Sequence, residues 1–240
     1  MGGVRGPGHV ARGSPLTIVG IDVDPTGNIV GPPESGVQCD NAIDDDGDGL
    51  VNDGCPTVDA SETDTNCANN TDDDGDTVVN DGCPANTSLS TIDSCISVSL
   101  GQQFNIDVFV DEIPSGRDFA GFNYDLSFDS SRVKVIAHNH EMLLGAAYGS
   151  SVNDLSEAVP DTSSPHAMYV ADFGTAEVGP IAGVLGRYTL EVLPTAPVGI
   201  FALTLTNLDL GDLAGEPIPV DVVLDGTSSP QHGVIAVGTG

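Results

Sequence analysis

Residues Leu16 to Asp24 read LTIVGIDVD and run into Pro25-Thr26-Gly27-Asn28. A two-residue apolar period closed by turn formers predicts a β-strand. The rhythm then lapses and returns from Ile92. Strands are expected at Cys95–Leu100, Phe104–Val110, Phe119–Phe128, Val133–His138, Ala167–Phe173, Val184–Leu193, Ile200–Leu205, Pro219–Leu224 and Val234–Val237. Stretches rich in Gly, Pro, Asp and Ser separate them. Phe119, Phe122, Tyr124, Leu126 and Phe128 place bulk on one side of their strand, as a sheet with one packed face requires. Only Glu141–Ala147 suggests a helix, and a short one. Many short strands with this spacing predict an all-β chain, an antiparallel β-sandwich of jelly-roll type.

The gap between the first strand and Ile92 holds an acidic phrase written twice. Cys39 to Pro56 reads CDNAIDDDGDGLVNDGCP, and Cys67 to Pro84 reads CANNTDDDGDTVVNDGCP. The copies match at 13 of 18 positions, too many for unrelated loops. Four parts follow: an arm of Gly and Pro over 1–15, the first strand over 16–31, the acidic pair over 32–91, and the remaining sandwich over 92–240.

Charge sharpens the picture. The chain has 36 acidic and 6 basic residues, a formal charge of −30, and no Lys or Arg lies between Arg12 and Arg117. Nucleic acid and anionic lipid are poor partners, because both need a basic patch. No apolar run is long enough to span a membrane. The first fifteen residues lack the apolar core of a leader, so an exported protein would be read here as a mature or incomplete chain. Hydrophobic residues make up 39% of the chain, so it is not a disordered acidic tail.

Like charges about 5 Å apart repel by roughly 1 kcal/mol even in water. A hard divalent cation with oxygen ligands removes that penalty, and Ca²⁺ takes six to eight of them. The spacing Asp44-x-Asp46-x-Asp48-Gly49 offers carboxylates at alternate positions before a residue suited to a sharp turn. The Leu50 carbonyl, Asn52 and Asp53 can follow, with Asn41 adding an amide oxygen. The second copy offers Asn69, Asp72, Asp74, Asp76, the Val78 carbonyl, Asn80 and Asp81. Cys55 stands where an EF-hand would place its bidentate Glu, so the loop is not an EF-hand. Thr77 replaces the glycine, and a β-branched residue is strained at positive φ. Local side-chain turns are the competing role for single residues such as Asp45 and Asp73. The phrase resembles the cysteine-framed, Asp-rich repeats of thrombospondin type 3, which implies calcium binding.

Five cysteines fit an oxidising, extracellular setting. Pairs Cys39–Cys55 and Cys67–Cys83 would close each loop, a chained pairing such as Cys55–Cys67 stays open, and Cys95 is left over. Sequons at Asn69 and Asn86 are candidate glycan sites. His138 and His140 lie two apart and read as a surface pair near a strand end, with zinc as the rarer use.

The succession FNIDVFVDEI, FAGFNYDLSFDSSRVKV and AGVLGRYTLEVL over residues 104–193 resembles cohesin-type domains. That resemblance implies a sandwich over 92–240, joined by the strand near residue 16, with the acidic pair inserted after it. It also implies a receptor for a dockerin-type partner. No nucleophile elbow or phosphate loop is present. With no Trp and four Tyr, sugar platforms are scarce. The sequence therefore favours a non-catalytic, calcium-binding assembly protein at the cell surface that joins copies of itself head to tail into a filament. It keeps a cohesin-type receptor and a carbohydrate-binding sandwich as alternatives.

Overall fold

A computed structural model describes residues 16–26, 38, 41–43, 45, 51–52, 55, 71–73, 75, 77–79, 89, 91–113, 118–139, 152–172, 177–178, 181–212 and 214–238. The arm over 1–15, the expected helix at Glu141–Ala147, and His140 lie outside these residues.

The chain forms β1 Ile18–Asp22, β2 Cys95–Ser99, β3 Gln103–Ile113, β4 Asp118–Ser127, β5 Val133–Asn139, β6 Val152–Asp154 and β7 His166–Asp172. It continues with β8 Glu177–Val178, β9 Ile181–Val192, β10 Gly199–Ala202, β11 Thr204–Asp212, β12 Pro217–Ile218, β13 Val222–Leu224 and β14 Val234–Gly238. One sheet has the order β13-β1-β3-β9-β5. A second runs β12-β11-β4-β7-β6, with β8 also on β4, and a small sheet runs β10-β14-β2. Among the described residues the pairings are antiparallel except for β1 with β13 and β14 with β2. The sandwich is thus all-β as expected, with two parallel pairs that strand patterning alone does not reveal.

Alternation explains the core. On β4, Phe122, Tyr124 and Leu126 are buried, while Gly121, Asn123, Asp125 and Ser127 between them are partly open. On β9, Tyr188, Leu190 and Val192 are buried and Arg187, Thr189 and Glu191 are partly open. These two inward rows belong to one continuous apolar cluster. Full burial of such a side chain contributes about 1.5–3 kcal/mol.

One expected strand divides and another shortens. Ile200–Leu205 breaks at Leu203, whose amide donates to the Gly233 carbonyl at 2.7 Å and whose own carbonyl accepts from Gly226 at 2.7 Å. The chain changes sheets there, from β10 to β11. Pro219–Leu224 shortens to β13, which pairs with β1, and the two residues of β12 just before it pair with β11. Strands β6 and β8 and the acidic end of β11 were missed, since they are short or polar and carry little apolar period. The last expected strand, Val234–Val237, is found as β14 in the middle of its sheet, bonded to β10 on one side and β2 on the other, so it offers no free edge to a neighbour.

Asp22 joins the chain on either side of the acidic pair. Its Oδ1 accepts the Asp93 amide at 3.0 Å, and the Val23 amide donates to the Asp93 carbonyl at 3.1 Å. In the phrase that carries the cohesin resemblance, Asp129 Oδ1 accepts from the Ser131 amide and hydroxyl, and Oδ2 accepts from Arg132 Nε at 2.8 Å. The Ser131 hydroxyl, aided by Arg132, holds that carboxyl below the usual range.

An ion pair with a buried carboxylate lies across the first sheet. Arg187 Nε and one terminal nitrogen donate to the two Asp107 oxygens, each at 2.7 Å, and Asp107 is fully buried. Removing one partner of such a pair strands a buried charge and costs about 3–5 kcal/mol, whereas replacing both by apolar groups can be near neutral. Arg187→Met should therefore lower the urea midpoint by a corresponding amount with an unchanged m-value. The double variant Asp107→Leu, Arg187→Met should recover most of the loss. Equal midpoints for wild type and the single variant would show that the pair is dispensable.

Candidate functional site

Of the expected cation ligands, Asn41, Asn52, Asp72 and Val78 are described. Asp44, Asp46, Asp48, Leu50, Asp53, Asn69, Asp74, Asp76, Asn80 and Asp81 lie outside the described residues, as do Asn86 and the cysteines Cys39, Cys67 and Cys83. The second copy winds about its first aspartate. Asp72 Oδ1 accepts the Gly75 amide at 2.6 Å and Oδ2 accepts the Thr77 amide at 2.8 Å. This is a side-chain turn of the kind weighed above for Asp73, found here at an expected ligand. Gly75 at φ 87° and Thr77 at φ 85° both take the left-handed region. Thr77 does so against the strain expected of a β-branched residue.

The two copies touch. Asn52, buried and at φ 57°, donates from Nδ2 to the Val79 carbonyl at 3.0 Å. Val51 and Cys55 beside it are buried, and the Cys55 amide closes the turn onto the Asn52 carbonyl at 3.1 Å. Asn41 Nδ2 donates to Asp45 Oδ2 at 2.9 Å, while its buried Oδ1 accepts no hydrogen bond among the described residues. An orphan amide oxygen beside a carboxylate suits a hard cation. The described donors thus fit calcium in type.

A different surface stands out on the second sheet, and sequence reasoning missed it. The outward residues of β11, β4 and β7 fall into two rows. Gly211 pairs with Gly121, and Gly121 with Ala171; Asp209 pairs with Asn123, and Asn123 with Tyr169. The first row has almost no side chains, so a partner can approach the backbone closely. The second presents a carboxylate, an amide and a phenol. Together they line an open groove of about 370 Å³. Tyr169 is 42% exposed, more than an aromatic on a closed face would be.

A bulge fixes the rim of this groove. The register of β11 on β4 shifts between Thr206 and Asp209, and Asn207 sits there at φ 52°. Asn123 Nδ2 donates to the Asn207 carbonyl at 2.6 Å, and Asn207 Nδ2 donates to Asp125 Oδ2 at 2.5 Å. Bulges of this kind re-aim side chains next to functional surfaces. The only sequence signal was the run of small residues at outward positions, which reads as weak strand.

No protein-family model and no curated protein matches the chain. Similar solved structures are cohesin modules. A type I cohesin in complex with a dockerin, from Clostridium thermocellum, is 13% identical, with 63% of this chain and 99% of that one covered and a TM-score of 0.44. A cohesin module of a family 33 glycoside hydrolase from Clostridium perfringens is 13% identical, with coverage of 62% and 96% and a TM-score of 0.42. A non-cellulosomal cohesin from Archaeoglobus fulgidus is 17% identical, with coverage of 61% and 87% and a TM-score of 0.38. The assignment as a sandwich rests on the strand pairings themselves.

Asp72→Ala should release the turn it holds. Hydrogen exchange at the Gly75 and Thr77 amides is expected to rise severalfold, while the amides of β3 and β9 keep their protection. Unchanged exchange at Gly75 and Thr77 would show that the turn does not need the carboxylate.

Proposed function

We propose that this chain is a non-catalytic protein-binding module that works outside the cell and takes a dockerin-type partner on the outer face of the second sheet. The observation that carries this reading is the pair of cross-strand rows, one of small residues and one polar, over β11, β4 and β7. A face this bare of side chains lets a partner helix or strand lie against the backbone. The acidic residues at its edge, Asp125, Asp209 and Asp212, favour a partner that presents Lys, Arg or amide donors. The sequence resemblance to cohesin-type domains supports the same class of partner.

Calcium, in this reading, organises the acidic pair rather than the binding face. Asn41, Asp44, Asp46 and Asp48 of the first copy and Asn69, Asp72, Asp74 and Asp76 of the second would hold it. The ion would supply folding energy to a segment with little core of its own. Assembly into a filament is a second reading, favoured by Cys95, which is free and exposed on β2 at the margin of the small sheet. A carbohydrate ligand would have Tyr169 as its platform on the same face.

Two measurements test these readings. Gly211→Leu adds bulk to the small row where the nearest atom to a Cβ is the Gly121 carbonyl oxygen at 3.9 Å, so the fold should tolerate it. In a pull-down against dockerin modules, any module retained by the wild type should bind the variant at least tenfold more weakly. Retention of none, or equal binding by both, would sink the dockerin reading, and calcium-dependent filaments under electron microscopy would then replace it. Separately, chelation should speed proteolysis within residues 39–84 and leave the sandwich fragment intact. Cleavage at the same rate with calcium and with chelator would remove the ion from the account.

A further inference from the structure

The two sheets meet at a seam beside β5 and β7 that neither the partner face nor the acidic pair uses. Asp161 bridges the gap with its backbone: its carbonyl accepts the Val135 amide at 2.9 Å and its amide donates to the Val135 carbonyl at 2.8 Å. The loop before β7 is thereby held over the edge of β5, and His166, the first residue of β7, is fully buried beneath it. His166 Nδ1 lies 2.9 Å from Asp161 Oδ2 and 3.8 Å from Glu157 Oε2. Its Nε2 lies 3.1 Å from His138 Nδ1. His138, half-buried near the end of β5, is thus tied to His166, while His140, its expected companion, lies outside the described residues.

Each member is held in place. Asp161 Oδ1 accepts from the Ser163 amide at 2.8 Å and hydroxyl at 2.5 Å, which turns Oδ2 toward His166. Glu157 Oε2 accepts the Ala167 amide at 3.1 Å. Tyr188 packs edge-on against both imidazoles, with ring centroids 5.7 Å from His166 and 6.4 Å from His138.

We propose that Glu157, Asp161 and His166 form a binding site for one divalent transition-metal ion, with Zn²⁺ the best fit. Their ligand atoms all lie within 4.8 Å of one another, close enough for one ion to contact all three after small side-chain shifts. An imidazole nitrogen selects zinc-like ions over calcium, and two carboxylates balance the charge of a dication. Glu157 is 48% exposed, which opens a path from solvent and leaves room for a water as fourth ligand. On binding, His166 Nδ1 faces the ion and its proton resides on Nε2, donated to His138 Nδ1. His138 then carries its own proton on Nε2. A metal-bound histidine oriented through its far nitrogen is the usual arrangement, so His138 is a positioning residue. The inference does not rest on the partner reading.

The experiment is a calorimetric Zn²⁺ titration of the full chain in millimolar calcium, which keeps the acidic repeats occupied. The wild type should bind one tight equivalent. Glu157→Gln and Asp161→Asn should each weaken it by tenfold or more, and His138→Gln by about 10–100-fold. Glu157 is exposed, so its variant remains informative even if replacement of buried His166 prevents folding. Imidazole nitrogen NMR should show His166 moving to the Nε2–H tautomer on zinc addition. An equal isotherm for wild type and Glu157→Gln would assign the zinc to the acidic surface and overturn the site. So would a His166 spectrum that zinc leaves unchanged.

Discussion

The sandwich closes at Gly186. A Cβ there would fall 2.8 Å from both Met168 Sδ and Tyr124 Oη, closer than such atoms tolerate. Because β9 presents no side chain at that point, the second sheet seats Tyr124 and Met168 against the first, with the Tyr124 hydroxyl donating to Met168 Sδ at 3.1 Å. Two residues on, Tyr188 meets Tyr124 edge-on with centroids 6.4 Å apart. Burial raises the pKa of both phenols well above its ordinary value, so the contact stays uncharged. Tyr188 also packs on His138 and His166 at the seam. The spacing between sheets therefore sets where the seam histidines stand.

A second constraint is the shortage of positive charge. Three of the six basic residues are committed within the sandwich: Arg187 to Asp107, Arg132 to Asp129, and Lys134 to Glu191 at 3.0 Å. The remaining structural acids use hydrogen-bond donors. Asp225 is nearly buried and takes the amides of Leu205 and Thr227 and the Thr227 hydroxyl. Asp22 takes the Asp24 and Asp93 amides. Donors to a carboxylate contribute about 1.5–3 kcal/mol each, enough to hold an acid in place without a counter-ion. This solution works for isolated acids on a rigid frame. It does not extend to the acidic pair, where 14 of the 36 acids crowd into residues 39–84 with no Lys or Arg among them. That contrast is the physical case for a cation there.

Much of the frame was legible because long strands repeat their signal. β3, β4 and β9 alternate over enough residues to show both their type and their buried face. What failed to show depends on relations between distant residues. His166 follows Pro165 and heads the buried row it shares with Met168 and Val170, where a polar residue at the first position reads as the end of a turn, and its partner His138 lies on another sheet. The row of small residues on the second sheet is built from Gly121, Ala171 and Gly211, each unremarkable in its own strand, and it exists only through register. The place of β14 is of the same kind, since only topology sets β10 and β2 on its two sides. The acidic phrase was the reverse case: plain as a motif, with few of its residues described.

The acidic pair raises the question of how a sandwich tolerates so long a detour between β1 and β2. Loop-closure entropy grows slowly, so each doubling of length costs only about 0.6 kcal/mol. A single donor to a carboxylate, at about 1.5–3 kcal/mol, outweighs that. The contact between Asp22 and the Asp93 amide is such a bond, and the Val23 amide adds a second tie to the same residue. With its ends fastened there, the segment adds little entropic penalty to the pairing of β1 with β3. Nor does it have to be ordered for that pairing to form. Whatever orders the acidic pair can therefore act on it alone, while the outer face of the second sheet and the seam keep the geometry set by the closed sheets.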